Sequence, residues 1–418
     1  MTGKFHYECT DCGAVYSSGG IMYLCPACEP NNSPGLPRKG VLKTVYNYRE
    51  LRKRYNPETI FEQLKQEEFL PLLPILGLRS LPKLRVGKTP LYRFDSFDSE
   101  VLGFELYLKD DSQNPSFSFK DRASALVSAW ALENGINTII AASTGNAGSS
   151  LAGICASQRQ RSVIFVPASA PQAKLTQIMM YGAVIVPVDG SYDQAFDLSI
   201  RATELFGYYN RNTAFNPITI EGKKTVSFEL FDQLEQQIPE RIFVPVGDGV
   251  ILSGIYKGFE DLLELGIIVK IPVIVAVQAE GSSNLVNNID KKVFEVKSSD
   301  TLADSISVDI PRNFHMAVSF LKKYQGEWIT VTDSQILDAS VKLSRSTGLF
   351  AEPAAAAALA GLLKYREAGR ISSASKNVVL LTGSGLKDLK SVQSCIQLPE
   401  AIKPEIASLD RLKKRLSL

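Results

Sequence analysis

From about residue 87 onward, short runs of β-branched and apolar residues alternate with longer stretches in which apolar and polar positions mix. The short runs fall at 106–109, 138–141, 163–167, 184–187, 242–245, 273–277 and 378–382. Strand-length runs spaced by helix-length segments predict an α/β fold with parallel sheets, in which ligands sit at the carboxyl ends of the strands. Residues 41–81 read differently. They mix charged and apolar positions and are broken by Pro57, Pro71, Pro74 and Pro82, which predicts a helical connector leading into the α/β body.

Glycine-rich turns follow three of the predicted strands. Ser143, Thr144, Gly145 and Asn146 come after the run at 138–141, Gly247, Asp248 and Gly249 after 242–245, and Thr382, Gly383, Ser384 and Gly385 close the last run. Glycine lets the backbone turn sharply and present N–H groups to an anion at the start of a following helix. One such turn is a weak signal, but three at strand ends point to one shared ligand site.

Composition then narrows the class. The chain has 418 residues, 45% of them hydrophobic, and Lys+Arg 46 against Asp+Glu 44 leaves a formal charge of +2. That balance gives no field to favour nucleic acid or an anionic membrane, so a small, individually recognised substrate fits better. No apolar run reaches the roughly 20 residues of a membrane helix, and the N-terminus carries no apolar signal core, so the expected location is the cytoplasm. Four of the six cysteines lie before residue 30 as two CxxC pairs, Cys9 with Cys12 and Cys25 with Cys28, separated by 12 residues. Two thiolate pairs at this spacing predict a closed, tetrahedral structural zinc site with no open position for catalytic water.

Lys120 stands in the stretch Ser118-Phe-Lys-Asp-Arg122, between aromatic and apolar neighbours and just ahead of a helix-like segment. Partial burial and a nearby helix N-terminus both disfavour the ammonium form, and a neutral amine is what imine chemistry needs. Asp121 and Arg122 read as a helix-start carboxylate and a structural ion pair.

This stretch resembles the cofactor-lysine motif of fold-type II pyridoxal-phosphate enzymes, and of the threonine synthase family in particular. The likeness extends through Lys88-Thr-Pro-Leu91, Ser143-Thr-Gly-Asn146, Glu221-Gly-Lys-Lys-Thr225, Pro245-Val-Gly247, Glu352-Pro353 and Thr382-Gly-Ser-Gly-Leu-Lys-Asp388. The resemblance implies a two-lobed, tryptophan synthase β-like fold behind the ribbon. Its parts are a zinc ribbon at 1–40, a connector at 41–84, a large cofactor-binding lobe at 85–120 and 214–418, and a small mobile lobe at 121–213.

It also implies roles. Lys120 would form the Schiff base with pyridoxal 5'-phosphate and then shuttle protons on the substrate, and Asn146 would bond the ring hydroxyl. Gly247, Asp248, Gly249, Val250 and Ile251 would cradle the cofactor phosphate, and Thr382 would meet the pyridine nitrogen. Ser143, Thr144 and Gly145 would grip the substrate carboxylate; Lys223 and Lys224, near the positions that read the substrate's distal phosphate, are the available source of positive charge there. A homodimer is implied as well.

The match departs from the family where the substrate's distal phosphate is read. The family's Asn-Ser pair and arginine are replaced by Thr213, Ala214 and Thr219, which cannot neutralise a dianion as a guanidinium does. Ser116-Phe117 replaces Thr-Gly, Val250-Ile251 replaces Gly-Asn, and Ser384 stands where histidine is common. The expected reaction is therefore elimination or replacement on a phosphorylated or hydroxy amino acid, with threonine synthase leading. The alternatives are a cysteate synthase-like replacement on O-phosphoserine, a serine or threonine dehydratase and, remotely, a non-catalytic zinc-ribbon binding protein.

Overall fold

In a computed structural model, which describes residues 3–399 and 401–416, the strands form three sheets. The first is an antiparallel ribbon of β1 (Phe5–Cys9), β2 (Val15–Ser17) and β3 (Leu42–Tyr46) in the order β2-β1-β3. The ribbon thus runs past residue 40, correcting the expected boundary. Leu42, Thr44 and Tyr46 alternate inward, a period-two pattern that pairs with β1 and does not belong to a helical connector. The connector itself holds helices Tyr48–Arg54 and Ile60–Gln66, with Pro57 between them, then single turns at Leu70–Leu72 and Leu78–Ser80 in the proline-rich part.

The body contains β4 (Leu91–Phe97), β5 (Glu100–Asp110), β6 (Thr138–Ala142), β7 (Arg161–Pro167), β8 (Val184–Val188) and β9 (Tyr209–Asn210). It continues with β10 (Arg241–Pro245), β11 (Val273–Ala279), β12 (Glu327–Val331) and β13 (Lys376–Leu381). Strands β6 to β9 make a four-stranded parallel sheet in the order β8-β7-β6-β9. The others make a six-stranded sheet, β12-β11-β10-β13-β5-β4, parallel except where β4 turns back against β5. One core joins the ribbon to one face of both body sheets, a second covers the other face of the larger sheet and a third the other face of the smaller; the helix Pro353–Glu367 lays its alanines, all buried, against the larger sheet.

The helix Lys120–Glu133 joins the two halves and is buried from Asp121 to Ala131. Small residues let neighbours approach it closely. A Cβ at Gly222, on the helix Ile218–Lys223, would fall 2.1 Å from the Arg122 carbonyl oxygen, so only glycine fits. No helix among the described residues is long and apolar enough to cross a membrane.

Candidate active site

Lys120 is fixed by threads to a distant part of the sequence. Phe119 N–H donates to the Thr382 carbonyl (2.8 Å) and Ser384 N–H to that of Phe117 (3.0 Å), stitching the lysine loop to the turn after β13. Phe117 takes a positive φ of 66°, a left-handed conformation at the position where glycine is usual in the family. Lys120 and Thr382 then line one narrow cavity with Asn146, Thr213, Ser305, Glu352 and the loop from Pro245 to Leu252. Burial, and next the guanidinium of Arg211, lower the Lys120 pKa; Asp248 and Glu352 act in the opposite sense.

The glycine loop after β10 runs into the helix Val250–Glu264, whose first turn has no side-chain cap. The N–H groups of Val250, Ile251 and Leu252 are therefore the unsatisfied donors of a helix start, and they face a cavity that they line. Gly249 has φ +83°, and a Cβ there would come within 2.9 Å of the Ala317 Cβ. Such a cradle suits a phosphate ester, while an amine with a lowered pKa suits an aldehyde, so the residues present fit pyridoxal phosphate. The cavity is narrow, with about 40 Å³ of open space.

The remaining expected residues divide. Asn146 heads the helix Asn146–Gln158 and donates to both oxygens of Glu352 (2.9 and 3.1 Å) and to Ser305 (3.3 Å), so its amide spans the two lobes. Ser143 accepts from Gly145 N–H (3.2 Å) in the turn at the end of β6; Ser143, Thr144 and Gly145 stand next to Asn146 but do not line the narrow cavity. Lys223 is wholly buried and donates only to the Thr219 carbonyl (3.3 Å), with its amine lowered by burial and by Arg211 and Lys120. Lys224 is turned elsewhere. Its Nζ sits between Glu221 (2.5 Å) and Asp261 (2.6 Å), over the Tyr46 ring, and it does not reach the cleft as expected. Consecutive helical residues point about 100° apart, so both lysines could not face one site.

Arg122 is tied to Asp111 (2.6 Å) and Glu229 (2.6 Å), and Asp121 accepts from Ser116, as the structural reading of both expects. Three groups carried no such expectation: Glu352, which lines the cavity, and, outside its lining, Lys387, which donates to Ser149 (2.9 Å), and Arg211, whose charge acts on Lys120. The Glu-Pro motif could have flagged Glu352, which stands at the cap of a buried helix and whose pKa burial raises. A wider cavity of about 670 Å³ lies behind the Lys120 helix, between it and the connector. Its lining includes the paired Arg122 and Glu229 but neither Lys120 nor the glycine loop, so it is not where this chemistry converges.

In the ribbon, all four cysteine sulfurs lie within 4.8 Å of one another, with Cys9 to Cys28 at 3.8 Å and Cys12 to Cys25 at 3.7 Å. A tetrahedron with metal–sulfur bonds of about 2.3 Å places its sulfurs about 3.8 Å apart, so the cluster could hold a metal without rearrangement.

The fold and this cleft define a class. Residues 83–383 match the family described as "Pyridoxal-phosphate dependent enzyme". A structure of the processed form of threonine deaminase isoform 2 from Solanum lycopersicum superposes with a TM-score of 0.64, covering 96% of this chain and 98% of that one, at 19% identity. Within that class the chain belongs to the threonine synthase family. It is 33% identical over 414 residues to the threonine synthase of Methanocaldococcus jannaschii, covering 98% of this chain and 99% of that protein. It is 35% identical over 355 residues to that of Halalkalibacterium halodurans, covering 83% and 96%.

Proposed function

We propose that this chain is a carbon–oxygen lyase that carries out elimination and replacement on a phosphorylated or hydroxy amino acid. Its leading reaction is O-phosphohomoserine plus water to threonine plus phosphate. The observation that supports this most is the amine of Lys120, with its lowered pKa, set between the two sheets beside Thr382 and facing the glycine loop. When bound there, pyridoxal phosphate supplies an electron sink for charge developing next to the substrate's amino group.

The chain's own residues do the rest. Lys120 Nζ holds and moves protons at the substrate's α, β and γ carbons as the γ carbon–oxygen bond breaks and water adds at the β carbon. The turn from Gly247 to Ile251 would hold the cofactor phosphate, and the Thr382 hydroxyl would meet the pyridine nitrogen. A neutral partner at that nitrogen tempers the electron sink and favours elimination over transamination. Ser143 to Gly145 receive the substrate carboxylate, and Lys223 adds positive charge. Cys9, Cys12, Cys25 and Cys28 hold a structural zinc remote from the chemistry. We further read the protein as a cytoplasmic homodimer that binds neither nucleic acid nor membrane.

A second reading is favoured by one specific contact. The Thr219 hydroxyl donates to the Asn216 carbonyl (2.8 Å) within its own turn, and Ala214 offers no donor, so two of the family's distal phosphate-reading positions present nothing to a four-carbon phosphate ester. A three-carbon substrate, O-phosphoserine or serine, then becomes the competitor, with sulfite as nucleophile or with release of a keto acid. Phosphate release from O-phosphohomoserine with threonine appearing in step supports the leading reaction. Keto acid from serine or threonine without phosphate release would replace it with the dehydratase.

A further inference from the structure

Arg211 follows β9, and its N–H donates to the Ile140 carbonyl (2.8 Å), so it extends that strand beside β6 to the edge where the Ser143 turn begins. The side chain is fully buried. Nε donates to Ser124 (3.2 Å) on the Lys120 helix and Nη1 to the hydroxyl of Thr213 (3.1 Å), which lines the cleft, while Nη2 has no acceptor among the described residues. Among the described residues no carboxylate lies within ion-pair distance of it. Its charge falls instead on Lys120 and Lys223, whose amines it pushes toward the neutral form.

A buried guanidinium with one donor face unused, beside two amines already held toward the neutral form, is costly unless something anionic completes it. The cofactor phosphate is accounted for by the glycine loop. Glu352 is held by Asn146 and Ser305, and Asp121, which acts on Arg211, accepts from Ser116, which leaves Asp248 as the remaining acidic group near these basic groups. Lys223 also has spare capacity, since an ammonium donates three hydrogen bonds and its Nζ makes one.

We propose that Arg211, with Lys223 and Thr213, is the subsite that reads an anionic group on the side chain of the amino-acid substrate. This guanidinium comes from a different strand and turn than the family's arginine position, which Thr219 fills here. The subsite gives the enzyme a requirement for a substrate with a distal phosphate or carboxylate. This rests on the functional reading above for the word substrate, but the anion site itself does not depend on catalysis.

The test uses the cofactor-loaded enzyme and compares kcat/KM for O-phospho-L-homoserine, O-phospho-L-serine and O-succinyl-L-homoserine, whose leaving group carries a carboxylate, with that for L-homoserine and L-serine. The phosphate and carboxylate arms identify which anion is preferred. Arg211→Gln should lower the ratio of anionic to neutral substrate by about 10- to 100-fold, the size expected for one charge-assisted contact, and Arg211→Lys should restore part of it. In parallel, binding of inorganic phosphate and of O-phospho-L-serine to the same protein after borohydride reduction is followed by calorimetry, and both should weaken in Arg211→Gln. The proposal is overturned if the variant lowers anionic and neutral substrates alike. It is equally overturned if the variant loses cofactor affinity while phosphate binding is unchanged, which would assign Arg211 to the cofactor. If no amino acid is turned over, the functional reading fails, and phosphate binding to wild type and variant alone still decides the subsite.

Discussion

Two fully buried arginines touch the same helix and have opposite surroundings. Arg122, on the Lys120 helix, sits between Asp111 and Glu229, which overcome its burial and hold its pKa above the ordinary arginine value. Arg211, which donates to Ser124 of that helix, has no carboxylate within ion-pair distance among the described residues, and burial brings it down to about 10 against the opposing pull of Tyr192 and Asp121. Lys224 and Lys223 repeat the contrast one residue apart, the first between Glu221 and Asp261, the second near Lys120 and Arg211. Burial alone therefore does not separate framework from function. What separates them is whether the charge has been matched inside the chain, because an ionised group left unmatched in a protein interior persists only where something else gains from it.

The contrast predicts a double dissociation: removing an unmatched cation costs activity and spares the fold, while removing a matched one does the reverse. Lys120→Ala is the strongest case. Turnover should fall by about a thousandfold or more, and borohydride should fix no cofactor to the chain. The melting temperature of the cofactor-free protein should hold or rise. A Lys120→Ala enzyme that keeps its yellow absorbance and its rate would end the assignment.

Arg122→Ala should do the opposite. It leaves Asp111 and Glu229 facing one another beside Lys109 and should cost roughly 3–5 kcal/mol, read as a lower urea midpoint with unchanged slope. If stability hardly moved while substrate discrimination collapsed, the division between the two arginines would be wrong.

Glu260 extends the matched side to the boundary between ribbon and body. Burial pushes its carboxyl up, but Lys43 on β3, Lys257 and Lys323 outweigh that and bring it down to about 2. An unfolded glutamate titrates near 4.3. The stabilisation is thus fully present above about pH 4.3 and is lost as pH falls through about 2. Glu260→Gln should be less stable by about 1–3 kcal/mol at pH 7, with the gap closing in denaturant melts taken toward pH 2.

Much of this was readable in advance, for physical reasons that differ by region. All seven apolar runs are strands; in β6, β7, β10, β11 and β13 this is because parallel strands buried on both faces concentrate β-branched residues, whereas β8 is an edge strand with no fully buried residue. Strand β4 escaped notice because it is a largely exposed edge strand with polar Arg93, Asp95 and Ser96, and β9 because it has only two residues. In β12, only Val331 is fully buried. Lys120, Asn146, Thr382 and the glycine loop line one cavity, and each sits in a local motif with its own backbone requirement that the sequence displays. Arg211 was not, since nothing in Asn210-Arg211-Asn212 distinguishes a cleft arginine from a surface one until the strand beside β6 is placed.

The smallest expected effect bears most directly on Arg211. A base whose pKa is lower folded than unfolded costs stability wherever it is charged, so at pH 7 the full cost is present, and it is relieved only as pH rises through about 10 toward the unfolded value. Replacing it by the uncharged, similarly long Arg211→Met should therefore raise the stability of the cofactor-free protein, by about 1–2 kcal/mol once lost hydrogen bonds to Ser124 and Thr213 are set against the relief. Phosphate should close that gap from the other side. An anion at ten times its dissociation constant stabilises the wild type by about 1.4 kcal/mol and gives the variant nothing. Thermal melts of both proteins with and without phosphate check this. A variant that is less stable than wild type, yet gains as much from phosphate, would place Arg211 with Arg122 among the framework charges.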